Sequence, residues 1–172
     1  PFMEFLPRDS FPSIEHILLM KFEIRNFLLE KGYEEVMSSW YIKNKDSQYI
    51  NKYQHSAWMN ESYIGFGVST YSYLKGIEFK NRCFLDHYYD ELRHDQLPIC
   101  SWSKLNKQEI ELRKLILGLK IKSGVEININ NLSNSIKDKI KRLEKEYLLS
   151  LEERDSGFYR LTLTEDGFYV TD

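Results

Sequence analysis

Apolar residues at Ile14, Ile17, Leu18, Phe27 and Leu28 recur near a 3.6-residue period and predict a helix from about residue 13 to 31. Ser13 is a suitable N-cap, Glu15 suits the first turn, and Lys31-Gly32 supplies a basic end and a stop. Glu35 to Ile42 then reads as one strand, with Val36 and Trp40 on one face and Met37 and Tyr41 toward the other. Helix, glycine and strand make half of an α/β repeat, which needs neighbours to complete a sheet.

Before this unit, Pro1 to Pro12 reads as a loop or linker, as though cut from something longer. After it, Lys43 to Asn60 is polar and reads as irregular. Cys83 to Arg93 predicts a helix with Phe84, Tyr88 and Leu92 as its stripe, ended by Leu97-Pro98-Ile99. Asn106 caps a strong helix over Lys107 to Leu119, with Ile110, Leu115, Ile116, Leu117 and Leu119 inward. Another begins at Ser133 or Asn134 and runs to about Tyr147 on Ile136, Ile140 and Leu143. Leu148 to Glu153 and Phe158 to Leu163 flank Asp155-Ser156-Gly157 as a hairpin, and Thr164-Glu165-Asp166 starts a last helix. Helix, helix and hairpin, over about residues 105–172, is a winged-helix-like order. The reading is a mixed α/β (α+β) chain, mostly helical in its C-terminal part.

Composition narrows the function classes. The 172 residues are 42% hydrophobic and 29% charged, which suits a globular chain of about one domain. A net charge of −2 offers no global attraction to nucleic acid or to an anionic membrane surface. No apolar run approaches the roughly 20 residues of a membrane span, and no secretory leader is visible. The two cysteines, Cys83 and Cys100, build no disulfide framework, so a cytoplasmic protein with free thiols is expected. The aromatic share is 15%, enough to line a flat apolar pocket as well as fill a core.

The candidate chemistry centres on Tyr63 to Leu74, which reads Tyr-Ile-Gly-Phe-Gly-Val-Ser-Thr-Tyr-Ser-Tyr-Leu. Gly65 and Gly67 allow close backbone approach or positive φ, and Ser69, Thr70 and Ser72 add hydroxyls between the rings of Tyr71 and Tyr73. A ligand-facing turn is the reading, with a plain tight turn as the alternative. It is no dinucleotide loop, because Thr70 stands where a third glycine belongs and no apolar strand precedes it. Cys83, His87, His94 and Cys100 fit no zinc spacing. Ser38 and Ser39 have no nucleophile elbow around them. The basic residues of the 133–147 helix alternate with Asp138, Glu144 and Glu146, as on a solvated face rather than a DNA-reading one.

The 63–74 run resembles the glycine-rich segment of oxygen-independent coproporphyrinogen III oxidase and its radical S-adenosylmethionine relatives. Leu29 to Tyr33 and the strand to Trp40-Tyr41 resemble the last helix–strand unit of that family's partial barrel. Tyr53-Gln54-His55 and Trp58, then Asn81, Tyr88-Tyr89, Leu115 to Leu119 and Arg160 to Gly167, follow in the same order. The resemblance covers nearly the whole chain. It implies that residues 1–62 end the partial barrel and that residues 63–172 form the C-terminal domain on its substrate side. It also implies S-adenosylmethionine and a [4Fe–4S] cluster in a full-length parent, with oxidative decarboxylation of a porphyrin precursor as the reaction.

The cluster needs a Cys-x-x-x-Cys-x-x-Cys loop, which this chain lacks. The expectation is therefore no catalytic residue and no metal ligand here, and a missing N-terminal barrel as partner. Substrate or S-adenosylmethionine contact is implied for Gln54, Gly65, Gly67, Val68, Ser69, Thr70, Tyr71 and Ser72. Tyr71 replaces an aliphatic residue of the family. Thr70-Tyr71-Ser72 stands where heme-chaperone relatives carry Ala-His-Ser. A heme-trafficking protein, a radical methyltransferase or heme-degrading relative, a non-catalytic binding domain and a nucleic-acid-binding winged helix remain open alternatives.

Overall fold

A computed structural model of the chain describes residues 11–43 and 50–169. Most of the predicted Pro1–Pro12 loop lies outside them. Helix α1 (Ile14–Glu30) starts where expected, with the Ser13 hydroxyl accepting from the His16 amide at 3.2 Å. None of its residues is buried, and Ile14, Leu19, Phe22, Ile24 and Phe27 are exposed on it.

The single strand expected over Glu35–Ile42 is a hairpin of β1 (Tyr33–Met37) and β2 (Trp40–Lys43), paired antiparallel. The chain reverses at Ser38-Ser39, where Ser39 takes φ 59 and its amide donates to Glu35 Oε1 at 3.2 Å. Apolar residues on both sides of the two serines made the run look continuous. The segment after residue 118 docks on this hairpin, with Ser38 N donating to Lys120 O at 2.7 Å and Lys122 N to Val36 O at 3.0 Å. A charged chain ties the same region together. Arg25 pairs with the buried Glu35 at 3.0 Å and with Glu165, and Glu165 pairs with Lys122 at 2.8 Å.

Helix α2 (Lys52–Trp58) occupies part of the stretch read as irregular, capped by Asn51, whose side chain accepts from the Gln54 amide at 3.0 Å. A three-stranded antiparallel sheet follows, in the order β3 (Tyr71–Leu74), β4 (Ile77–Asn81), β5 (Ile99–Lys104). Helix α3 (Leu85–Arg93) connects β4 to β5. The sequence pattern did not predict this sheet. Its strands are four to six residues long and carry serine, lysine and tyrosine in place of an aliphatic alternation. The mixed α/β expectation holds, but the part after residue 63 is not mostly helical.

The C-terminal elements are α4 (Lys107–Gly118), β6 (Val125–Asn128), α5 (Asn134–Lys145), β7 (Leu149–Asp155), β8 (Phe158–Leu163) and α6 (Glu165–Tyr169). Their sheet is antiparallel in the order β6-β8-β7. Asn106 and Glu109 form a reciprocal capping box on α4, and Ser133 caps α5. Leu115, Val125, Ile127, Leu132, Ile140, Leu149 and Leu161 make one buried cluster between these helices and the sheet. Each such aliphatic side chain contributes about 1.5–3 kcal/mol by leaving water. Ile116 was expected inward but is exposed, because the core-facing stripe of α4 runs through Leu115 instead.

Candidate functional site

The glycine turn leaves the β3–β5 sheet at a two-bond bridge. Tyr63 N donates to Tyr73 O at 2.7 Å and Tyr73 N to Tyr63 O at 3.0 Å. Between these anchors the loop is held by polar groups of its own and of Asn81, Arg82 and Tyr88. Gly65 N donates to the Oγ of Ser72, a buried residue, at 3.0 Å. Gly67 N donates to Tyr88 OH at 3.1 Å, and Ser69 N to Arg82 O at 2.8 Å. Thr70 Oγ1 donates to Gly67 O at 2.9 Å.

Asn81 closes the arrangement from β4. Its side chain is buried at 6% exposure, and Nδ2 lies 3.2 Å from Gly65 O, 3.0 Å from Gly67 O and 3.0 Å from Thr70 Oγ1. Both glycines answer to this geometry. A Cβ on Gly65 would sit 2.5 Å from Tyr71 O, and Gly67 has φ +99. The close approach that Gly65 permits is to the chain itself.

A cavity of about 510 Å³ opens beside the turn, between α2, the loop and α4. Of the residues singled out from sequence, Gln54, Gly65, Thr70 and Tyr71 reach its wall. Gly67, Val68, Ser69 and Ser72 do not line it, and the contacts of Gly67, Ser69 and Ser72 hold the turn. The remaining wall is strongly aromatic. Tyr53 meets Tyr63 edge to face at 6.0 Å, Trp58 stands beside them, and Phe66 projects at 85% exposure. Two cations rest on these rings. Lys80 Nζ lies 5.0 Å from the centre of Tyr71 and Lys120 Nζ 5.6 Å from that of Trp58.

Arg113 of α4 also lines the cavity. Its Nε donates to Glu78 Oε1 at 2.7 Å, Nη1 to Asn60 Oδ1 at 2.5 Å and Nη2 to Tyr63 OH at 3.4 Å. The guanidinium also lies 4.0 Å from the centre of the Tyr73 ring. This one side chain joins α2's end, the turn's entry and two strands. Sequence reading missed it, because an arginine on a helix with alternating charges looks solvent-facing. The available signal was its place one turn before Leu117, which lines the same cavity.

Cys83 and Cys100 are free and exposed. Among the described residues no group of three or more His, Cys, Asp or Glu could hold a metal ion. A chain with two cysteines cannot supply the three-thiolate loop of a [4Fe–4S] cluster, so that group does not fit here. Among the described residues, no helix is long and apolar enough to cross a membrane.

No protein-family model matches the chain, and no curated protein does. One solved structure does match, with a TM-score of 0.65 over 96% of this chain at 16% sequence identity. It is coproporphyrinogen III oxidase (HemN) from Escherichia coli, described as a radical SAM enzyme. The chain spans 41% of the length of that enzyme. In fold, then, this chain is similar to part of a radical SAM coproporphyrinogen III oxidase.

Proposed function

We propose that this chain is the substrate-side domain of a radical S-adenosylmethionine protein resembling oxygen-independent coproporphyrinogen III oxidase. The observation that carries this is the aromatic cavity on the glycine turn, in a chain with that enzyme's fold. A porphyrin-like substrate is flat, apolar on its faces and carboxylated at its edge. Tyr53, Trp58, Tyr63 and Tyr71 offer stacking surfaces for the faces, and Lys80 and Lys120, which lie over the Tyr71 and Trp58 rings, supply positive charge for the carboxylated edge. Gln54 is a hydrogen-bonding group on the wall. Gly65, Gly67, Ser69, Thr70 and Ser72 act by fixing the loop that presents Tyr71.

In this reading residues 1–62 and 63–172 are the end of a barrel and the domain that closes it. The cluster and S-adenosylmethionine belong to a barrel-bearing partner segment that covers α1, whose exposed Leu19, Phe22, Ile24 and Phe27 suit such a contact. In the complete protein the reaction is oxidative decarboxylation. The two exposed thiols suit the reducing cytoplasm.

The test is titration of the chain with coproporphyrin III, the air-stable oxidised form of the tetrapyrrole, followed by the Soret band and tryptophan fluorescence. Binding should weaken roughly tenfold in Trp58→Leu and in Tyr71→Ala, since one lost stacking contact is worth about 1 kcal/mol or slightly more. Absence of binding, or unchanged binding in both variants, would overturn the assignment. Binding of heme but not of coproporphyrin would favour heme trafficking instead.

A further inference from the structure

The wall of the cavity beside the glycine turn carries a charge of one sign. Among the described residues that line it, Arg113 is the sole Lys, Arg, Asp or Glu. The two other cations near the wall, Lys80 over Tyr71 and Lys120 over Trp58, have the same sign. Glu78, the carboxylate that pairs with Arg113, stands outside this wall and lines a neighbouring groove with Leu105, Leu112 and Ile116. The Glu78 side chain is 41% exposed and that of Arg113 14%, so water screens the carboxylate more than the guanidinium.

Arg113 is also held in one pose. Its guanidinium lies 4.0 Å from the centre of the Tyr73 ring, and each nitrogen donates once: Nε to Glu78, Nη1 to Asn60 and Nη2 to Tyr63 OH. A guanidinium has five N–H groups, so these three bonds leave one on Nη1 and one on Nη2. Two donors in a fixed plane, on a partly desolvated cation, suit a carboxylate.

We propose that Arg113 is the specificity-determining residue of the cavity and takes a carboxylate of the flat ligand on these two donors. The inference rests on the ligand class proposed for this cavity and deepens it. The rings of Tyr53, Trp58, Tyr63 and Tyr71 accept any flat apolar face, whereas Arg113 discriminates by the acid at the edge. A ligand whose acids are masked displaces water from the guanidinium and leaves its donors without an acceptor, which is the asymmetry that makes polar sites selective.

The experiment measures Kd for coproporphyrin III and for its tetramethyl ester, from tryptophan quenching and the Soret band. The parent, Arg113→Met, Arg113→Lys and Glu78→Gln are compared, with circular dichroism as the check of fold. The ratio of the two Kd values is the reading, because general damage to the cavity weakens acid and ester alike. In Arg113→Met the ratio should move against the acid by roughly tenfold or more, since hydrogen bonds to charged groups are the stronger class. Arg113→Lys, which keeps the charge and loses the planar fork, should move it by less. Glu78→Gln, which keeps an acceptor for Nε and removes the competing charge, should move it toward the acid. Arg113→Lys and Glu78→Gln keep the test decisive where Arg113→Met does not fold. A ratio within about twofold of the parent in every folded variant would mean a purely structural arginine and overturn the inference, while the cavity reading stands. Failure of the parent to bind either compound would overturn the cavity reading itself, and this inference with it.

Discussion

Replacing Asn81 by Asp tests how the glycine turn is held. The two side chains have nearly the same size, so no cavity opens. What changes is that a donor facing Gly65 O, Gly67 O and Thr70 Oγ1 at 3.0–3.2 Å becomes an acceptor facing them. An amide nitrogen carries two hydrogens, so two full hydrogen bonds are lost. At about 1 kcal/mol each, with a further 1–2 for oxygens left facing a carboxylate in a buried position, the expected loss is about 2–4 kcal/mol. For a chain of this size that lowers Tm by roughly 5–15 °C. Thermal unfolding by circular dichroism at pH 7 measures it, with the near-ultraviolet signal reporting the tyrosines of the turn. The penalty also has a pH signature. Burial and the facing oxygens raise the introduced carboxyl in the folded state, so the charge-dependent part of the penalty is absent below the unfolded value of about 3.9 and grows as pH rises through the folded one, while one lost hydrogen bond remains at every pH. A variant that melts within a degree of the parent at pH 7 would refute the claim that this amide holds the turn.

Other substitutions separate the remaining parts of the argument. Gly65→Ala places a methyl 2.5 Å from the Tyr71 carbonyl and should displace the turn, whereas Gly67→Ala meets no atom within 4 Å and should cost only the backbone strain of φ +99, about 1–3 kcal/mol. Urea unfolding with the near-ultraviolet spectrum compares them, and equal spectra for both would contradict the packing at Gly65. Leu161→Ala empties a fully buried position in the C-terminal cluster and should lower stability by about 2–5 kcal/mol, read from the urea midpoint. Glu165 is held below its ordinary range of 4.5, first by its hydrogen bond with Lys122 and then by the charges of Lys122 and Arg25. Its contribution is therefore complete above pH 4.5 and fades as pH falls through the folded value. Glu165→Gln should melt lower than the parent at pH 7, and the gap should close as pH falls through the folded value; a constant gap would dismiss the ion pairs.

Caps were the most legible part of the fold. Ser13, Asn106 and Ser133 each begin the helix that the pattern assigned to them, because a cap acts over three residues and leaves a local mark. The β7–β8 hairpin was legible for the same reason, its turn being written in Asp155-Ser156-Gly157. The β3–β5 sheet was not. Its pairs are cross-strand and its outer positions are serines and an exposed Trp102, so no period-2 aliphatic signal exists. At the site, the sequence singled out the loop that stands beside the cavity, and Gln54 and Tyr71 reach the cavity wall. The roles of Asn81 and Arg113 depend on bonds that span 11 to 53 residues, which spacing cannot reveal. The hydroxyls of the loop were read as facing a ligand, but Thr70 and Ser72 turn theirs toward the loop's own backbone.

Helix α1 buries none of its residues, while the buried cluster is confined to residues between Leu115 and Leu161. Amide hydrogen exchange should therefore be graded along the chain. Amides of β6 and β8 open only with global unfolding, and those of α1 exchange through cheap local fraying. A segment that settles on α1 would first be seen as slowed exchange between Ile14 and Glu30, before any change in the melting of the C-terminal core. Exchange mass spectrometry of this helix thus tests the barrel segment proposed to cover it, with no need of a catalytic assay.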